Sequence, residues 1–200
     1  MPDAMHIQRR RTLSGLLRAT ALARLGGPLA ALAQTRTLPP TPACGAPASA
    51  TVEQTEGPYF KRNSPLRLSL LEEGLAGERL LLGGRVLDTR CQPVAKVLLD
   101  FWQADAAGAY DNRGFRMRGH QFSDATGAFR LDTVLPGLYP GRTRHIHVKL
   151  QPPGGPVLTT QLYFPGEPGN RGDGIFSTDL LVSMGRDASG AVATFNFVLG

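Results

Sequence analysis

The apolar runs of this chain are short, and each is closed by glycine, proline or aspartate. "ERLLLGGRVLD" (Glu78–Asp88), "VLLDFWQ" (Val97–Gln103), "GAFRLDTV" (Gly127–Val134), "RHIHVKL" (Arg144–Leu150), "VLTTQLYF" (Val157–Phe164) and "AVATFNFVL" (Ala191–Leu199) read as strands. None is long enough, or periodic enough at 3.6 residues, to read as an amphipathic helix. Only "PLRLSLLEEGLAGE" (65–78) has room for a turn of helix. With 24 glycines and 16 prolines to supply turns, the pattern predicts an all-β fold: an antiparallel β-sandwich with long loops. The 200 residues suffice for one such domain.

The net charge of +6 invites a nucleic-acid or membrane reading, but it is unevenly spread. Arg9, Arg10, Arg11, Arg18 and Arg24, against Asp3, supply +4 of it within residues 1–33. That stretch has a basic start, an Ala/Leu-rich middle and a small-x-small ending at Ala31-Leu32-Ala33. It reads as a signal peptide of the twin-arginine type. Its apolar run is too short, and too interrupted by Arg18, Arg24 and Pro28, to span a bilayer. The expectation is an exported, periplasmic protein. Residues 34–54 are rich in Pro, Ala and Thr and read as an extended arm, leaving 55–200 as the folded domain. In an exported chain, a disulfide between Cys44 and Cys91 is allowed and would tie the arm to the sandwich. No CxxC or Cys/His spacing suggests zinc.

The chemistry concentrates in "LYPGRTRHIHVKLQ" (Leu138–Gln151), which holds two of the four histidines. Side chains alternate along a strand, so Ile146, Val148 and Leu150 would face the core, with His145, His147 and Lys149 opposite. Two imidazoles at i and i+2 can converge on one metal, although an HxH pair by itself selects none. His120 lies 25 residues upstream of His145, and no cysteine stands nearby. What the region offers is tyrosine: Tyr110 at the end of a strand, and Tyr139 in the rigid "PGLYPG" turn. A phenolate is a hard anionic oxygen suited to ferric iron. Two phenolates, one hydroxide and two neutral imidazoles would neutralise Fe(III), which suits a low-dielectric pocket.

In "TEGPYF" (55–60), "GRVLDTRCQPVAKVLLDFWQADAAGAYDN" (84–112), "RGHQFSDATGAFRLDTVLPGLYPGRTRHIHVKL" (118–150) and "LTTQLYFPG" (158–166), the chain resembles the intradiol ring-cleavage dioxygenases of the protocatechuate 3,4-dioxygenase type. The resemblance implies a non-haem Fe(III) enzyme that opens a catechol between its two hydroxylated carbons with O2, giving a cis,cis-muconate-type product. It implies Tyr110, Tyr139, His145 and His147 as iron ligands, with Tyr139 leaving when substrate chelates and Tyr110 staying. Arg142 matches an arginine that stabilises the bound catecholate, and Gln161 a glutamine of the same pocket. Tyr59 either lines that pocket or packs the arm, and Trp102 reads as core rather than as a stacking platform. Arg113, Arg116 and Arg118 are available to hold a substrate carboxylate. "SDATGAF" reads as a hairpin, and "GEPGNRGDGIFS" (166–177) as a polar loop whose "RGD" is an accident of composition. Arg144 stands outside the matched pattern, as a strand-face charge.

Two other readings compete. The "GRVLD…DATGAFRLDTVLPG" pattern also resembles transthyretin-like and carboxypeptidase-regulatory sandwiches, which bind or pack without chemistry but lack the Tyr-Tyr-His-His set. A zinc or copper centre would need a third histidine, for which His120 is the only candidate. The chain also departs from the resemblance. It has no stretch long enough for the helical N-terminal domain of catechol 1,2-dioxygenases, and it is one chain where the protocatechuate enzymes pair two. The expected partners are a catechol-type molecule and O2, with no nucleic acid and no membrane span in the mature chain. A homo-oligomer is compatible with all of this.

Overall fold

A computed structural model describes residues 44, 45 and 48–200. The expected leader at 1–33 and the arm before Cys44 lie outside the described residues. Within them the chain is built from strands: β1 (Arg79–Asp88), β2 (Leu98–Trp102), β3 (Arg118–Phe122), β4 (Ala128–Val134), β5 (His145–Gln151), β6 (Leu158–Tyr163), β7 (Ser183–Asp187), β8 (Gly190–Thr194) and β9 (Phe197–Leu199). Two 3-10 turns, Pro168–Arg171 and Thr178–Leu180, lie between β6 and β7. No helix among the described residues is long and apolar enough to cross a membrane.

The strands form two sheets. One runs β3-β2-β5-β6 and is antiparallel throughout. The other runs β4-β1-β8-β7, with β9 also on β1. Here the expectation of a wholly antiparallel sandwich needs qualifying, because β1 pairs in parallel with both β8 and β9. The run expected as one strand over Ala191–Leu199 breaks at Phe195–Asn196. Gly84 lies against that break: a Cβ there would come within 1.8 Å of Phe195 O, so only glycine admits the kinked strand. Asn196 Oδ1 accepts from Arg85 N–H at 2.9 Å, standing in for the ladder carbonyl.

Between the sheets lie Leu80, Leu82, Leu99, Phe101, Leu131, Ile146, Val148, Leu150 and Leu162, all fully buried. The alternation expected for β5 is present, with Ile146, Val148 and Leu150 inside the core. Trimming one methylene there with Ile146→Val is expected to cost about 1 kcal/mol. A urea titration would read this as a lower midpoint with an unchanged slope. Because His145 and His147 point the other way, the variant should leave the outer face of the sheet unchanged.

Residues 65–78 contain no helix. Leu66 bridges to His120 and Ser69 to Asp132, so this segment crosses from the β3 edge to the β4 edge and seats the buried Leu70 beneath it. Backbone bonds to both sheets replace those a helical turn would make. The chain from Ala48 is already docked: Ala48 N–H bonds Thr89 O, Thr51 N–H bonds Val198 O and Gln54 N–H bonds Thr159 O. A disulfide joins Cys44 to Cys91, in the turn after β1.

Candidate metal centre

The outer face of the β3-β2-β5-β6 sheet carries the polar chemistry in cross-strand rows. One row is Arg118–Trp102–His147–Gln161, and the adjacent row pairs His145 with Tyr163. A third runs His120–Asp100–Lys149–Thr159. Although this face points away from the sandwich core, His145, His147, Gln161, Trp102, Tyr163 and Arg118 are all buried. Loops cover them: the "TEGPYF" segment, the "AAGAYDN" corner, the "PGLYPG" turn and the 166–177 loop.

His145 Nδ1 lies 2.7 Å from Thr143 O. A carbonyl only accepts, so Nδ1 carries the proton and Nε2 presents its lone pair. That lone pair faces His147 Nε2 at 3.1 Å and Tyr139 Oη at 3.3 Å. Burial pushes His145 down to about 4. Burial also holds His147 well below its usual range, helped by His145 and the Arg142 charge. Both rings are therefore neutral near pH 7 and free to donate lone pairs. Atoms about 2.1 Å from one cation, at angles of roughly 90–110°, lie roughly 3.0–3.4 Å apart. The two observed spacings fall in that window.

Tyr110 completes the group. Its ring lies 5.6 Å from that of Tyr139 and 6.5 Å from that of His147. Its Oη is buried and makes no well-formed hydrogen bond, with the Tyr139 hydroxyl as its polar neighbour, and His147 Nδ1 is buried without a partner. Burial, and then the neighbouring Tyr139, push the Tyr110 phenol well above its ordinary value. Burial likewise raises Tyr139, against the opposing pull of Arg142. A buried phenol with no partner is costly, which is what a ligand site looks like without its ligand. Gly57 stands before His147, where a Cβ would sit 3.5 Å from Cε1 and 3.9 Å from Nε2. Its φ of +69° is one that glycine adopts freely. Two phenols and two neutral imidazoles thus converge, a donor set suited to a hard trivalent cation.

Arg142 lies alongside. Its Nη2 donates to Gln161 Oε1 at 2.6 Å and to Tyr163 Oη at 3.3 Å, and its Nη1 to Tyr139 Oη at 3.4 Å. Its Nε donates to Asp173 Oδ2 at 2.8 Å. Asp173 is the aspartate of the "RGD" triplet, and composition alone does not explain it. Its side chain is 1% exposed and also accepts from Thr143 N–H at 2.9 Å and Ile175 N–H at 3.1 Å. It therefore aims Arg142 and pins the 166–177 loop to the strand. Burial alone would raise the Asp173 carboxyl, but the bonds from Thr143 and Arg142 outweigh it and hold it below its ordinary 3.8. A depressed carboxylate stabilises the fold above its unfolded pKa and loses that contribution as pH falls through the folded value. Asp173→Asn should therefore flatten the fall in thermal midpoint between about pH 5 and pH 2.

The remaining candidates fall into place. Tyr59 stacks on Tyr110 at 4.3 Å and meets Tyr139 edge-on at 6.0 Å, so it walls the cluster. Trp102 is buried and stacks on the His147 ring at 4.8 Å, supporting that imidazole from behind. Arg144 bonds Glu167 and Pro136 O, stapling two loops together. Arg113 and Arg116 are exposed, whereas Arg118 is 1% exposed. His120 bonds Ser64 O at 2.7 Å on β3, and the whole of β2 separates it from the paired histidines. Among the described residues no third histidine, cysteine or carboxylate joins them in a cluster. The zinc or copper reading therefore lacks its third ligand. Tyr163 and Asp173 were not anticipated. Tyr163 was legible from alternation, two residues beyond Gln161 on the same face, while Asp173 had no local signal.

Fold and cluster together define a β-sandwich protein with two tyrosines and two histidines gathered on the outer face of one sheet. A dioxygenase family model matches residues 55–199, and the chain belongs to that family, in its intradiol ring-cleaving branch. It is 39% identical to the protocatechuate 3,4-dioxygenase beta chain of Burkholderia cepacia, over 46% of this chain and 47% of that one. It is 29% identical to hydroxyquinol 1,2-dioxygenase of Rhodococcus opacus, over 64% and 51%. The match thus spans about half the length of these relatives. Among solved structures, it is 56% identical to the dioxygenase domain of a dioxygenase–carbohydrate-binding protein fusion from the cellulolytic bacterium Streptomyces sp. SirexAA-E. That match has a TM-score of 0.74 and covers 76% of this chain and 98% of that one. The 3-chlorocatechol 1,2-dioxygenase of Rhodococcus opacus 1CP superimposes with a TM-score of 0.69 at 28% identity, over 75% and 72%.

Proposed function

We propose that this protein is a non-haem Fe(III) dioxygenase that cleaves a catechol-type ring between its two hydroxylated carbons. Both atoms of O2 enter the product, a cis,cis-muconate-type dicarboxylate. Tyr110, Tyr139, His145 and His147 would hold the iron. The observation that carries the reading is the convergence of His145 Nε2, His147 Nε2 and Tyr139 Oη within 3.3 Å of one another along the chain of contacts, beside the unpartnered Tyr110 Oη. The ferric ion would act as a Lewis acid, drawing electron density from the chelated ring.

The protein's own groups do the rest. Tyr139 is the exchangeable phenol. It sits in a Pro-Gly turn, whereas Tyr110 lies between Tyr59 and Arg118 with its Oη buried. Tyr139 Oη would accept a substrate proton, with Arg142 Nη1 at 3.4 Å to steady it. Arg142 and Gln161 then face the substrate oxygens, and their positions are set in advance by Asp173 and by the Gln161 Nε2 bond to Thr55 O at 3.1 Å. Burial of this whole row excludes competing water. A packing module of the transthyretin-like kind would have no use for so many unsatisfied polar atoms in one place.

We further propose that the enzyme works outside the cytoplasm, since disulfides such as Cys44–Cys91 form and persist chiefly in oxidising compartments. The deciding experiment is a visible spectrum with iron analysis, followed by O2 uptake on adding catechol. One iron per chain, a tyrosinate-to-iron band that shifts with catechol, and stoichiometric O2 consumption are expected. A colourless protein that binds no iron and leaves catechol intact would overturn the reading.

A further inference from the structure

Arg118 opens β3 with its side chain on the site face, opposite Trp102, whose other cross-strand neighbour is His147. It is among the largest fully buried side chains in the domain. Its Nε and Nη2 both donate to Asp111 O, at 3.3 and 3.2 Å, while Nη1 is buried and has no partner. Its guanidinium carbon lies 5.8 Å from the centre of the Tyr110 ring.

A buried cation is costly unless an anion and hydrogen bonds compensate it. The carboxylates in its field are Asp111 and Asp100, and both are committed elsewhere. Asp111 takes the N–H groups of Arg113, Gly114 and Arg116 in its turn. Asp100 takes Ser64 Oγ at 2.7 Å. Neither forms an ion pair with Arg118 among the described residues. The remaining neighbour able to carry negative charge is Tyr110, whose own oxygen is equally unpartnered. The unpartnered Arg118 Nη1 and the Tyr110 phenol thus belong to side chains packed against each other, with the guanidinium carbon 5.8 Å from the ring centre. The clamp on Asp111 O, one residue beyond Tyr110, fixes the backbone that carries that oxygen.

We propose that Arg118 is the positioning residue and fixed counter-charge of Tyr110, holding it as the permanent anionic ligand of the centre rather than binding a substrate carboxylate. The proposal rests on the iron-dioxygenase reading above. Arg142 also acts on Tyr110, but its fork is bonded to Tyr139, Gln161, Tyr163 and Asp173, whereas Arg118 keeps Nη1 unpartnered beside Tyr110.

The test compares iron-loaded wild type, Arg118→Met, Arg118→Gln and Arg118→Lys by visible spectrum and by iron retained against a competing chelator. A positive charge beside the phenolate stabilises the electron there and raises the energy needed to move it to the metal. Removing that charge is therefore expected to move the tyrosinate-to-iron band to longer wavelength in the Met and Gln variants. Iron retention should fall about 10- to 100-fold, as for other groups one step removed from a metal. Lys keeps the charge without the fork, so its band should return towards the wild-type position. If Met fails to fold, Gln carries the same test. A wild-type band in either uncharged variant, or identical spectra for Lys and Gln, would sink this proposal and leave the enzyme reading standing. A wild type that takes up no iron would overturn both.

Discussion

Tyr110→Phe is expected to abolish iron binding and turnover while making the metal-free protein harder to unfold. The two effects have one cause. Tyr110 Oη is buried without a well-formed hydrogen bond, so in the metal-free fold it is a poorly compensated polar atom. Deleting it leaves a ring of the same shape, still stacked on Tyr59 at 4.3 Å, and should relieve about 1 kcal/mol. The same deletion removes one of the four proposed ligands. Altering groups that merely support a ligand costs about 10–100-fold, so losing the ligand itself should cost activity ~10³-fold or more. Iron per chain, initial O2 uptake and the urea midpoint of the metal-free protein would be measured on one preparation. A structural tyrosine behaves differently: its Phe variant would keep iron and turnover. Greater stability with wild-type turnover would remove Tyr110 from the ligand set.

How much of this was legible in the sequence follows from the range over which each feature acts. The histidine strand was legible because alternation is local: with Ile146, Val148 and Leu150 placed inside, His145 and His147 had to face the other way. The strand over Arg118–Phe122 was not read as one. Its core-facing positions are Gly119, packed on Arg67 and Leu70, and Gln121, which exchanges bonds with the Arg130 backbone. No apolar residue marks its inner face, so no period of two shows. The break at Phe195–Asn196 was hidden for a different reason, because it depends on Gly84, which lies far away in sequence. Leucine spacing in 65–78 fits a helical turn as well as a strand-like crossing, and only the edges it bonds to decide between them.

The centre divides in the same way. Tyr110, Tyr139, His145 and His147 carry recognisable local context, and their rings lie near one another in the fold. The groups that orient them were less visible. Asp173 lies 31 residues beyond Arg142, in a loop of glycines and polar residues, and only the folded loop returns it to the strand. Arg118 resembled any strand-end arginine until its burial and its bond to Asp111 O were known. Sequence spacing thus marks the donors, whereas the supporting charges depend on loop closure.

Arg142 provides the second large effect. Arg142→Leu is expected to lower kcat by about 10²–10³-fold, the usual cost of losing one preorganised charge-stabilising donor. Iron retention should fall by no more than the roughly 10- to 100-fold expected of a group that supports a ligand, because the guanidinium touches Tyr139 Oη at 3.4 Å but neither imidazole within hydrogen-bond distance. Arg142→Lys should recover little of the loss. A lysine cannot engage Asp173, Gln161 and Tyr163 together, because it lacks the fork that bonds all three. Asp173→Asn leaves the guanidinium in place but weakens its anchor, and should fall between Arg142→Leu and wild type. Single-turnover measurements would separate this from weaker substrate binding. If the loss lies wholly in KM, Arg142 serves to hold the substrate. If kcat falls with KM unchanged, its charge acts mainly in the transition state. The buried carboxylate behind it, with three hydrogen bonds fixing one orientation, favours the second outcome, since preorganisation contributes most where charge develops during reaction.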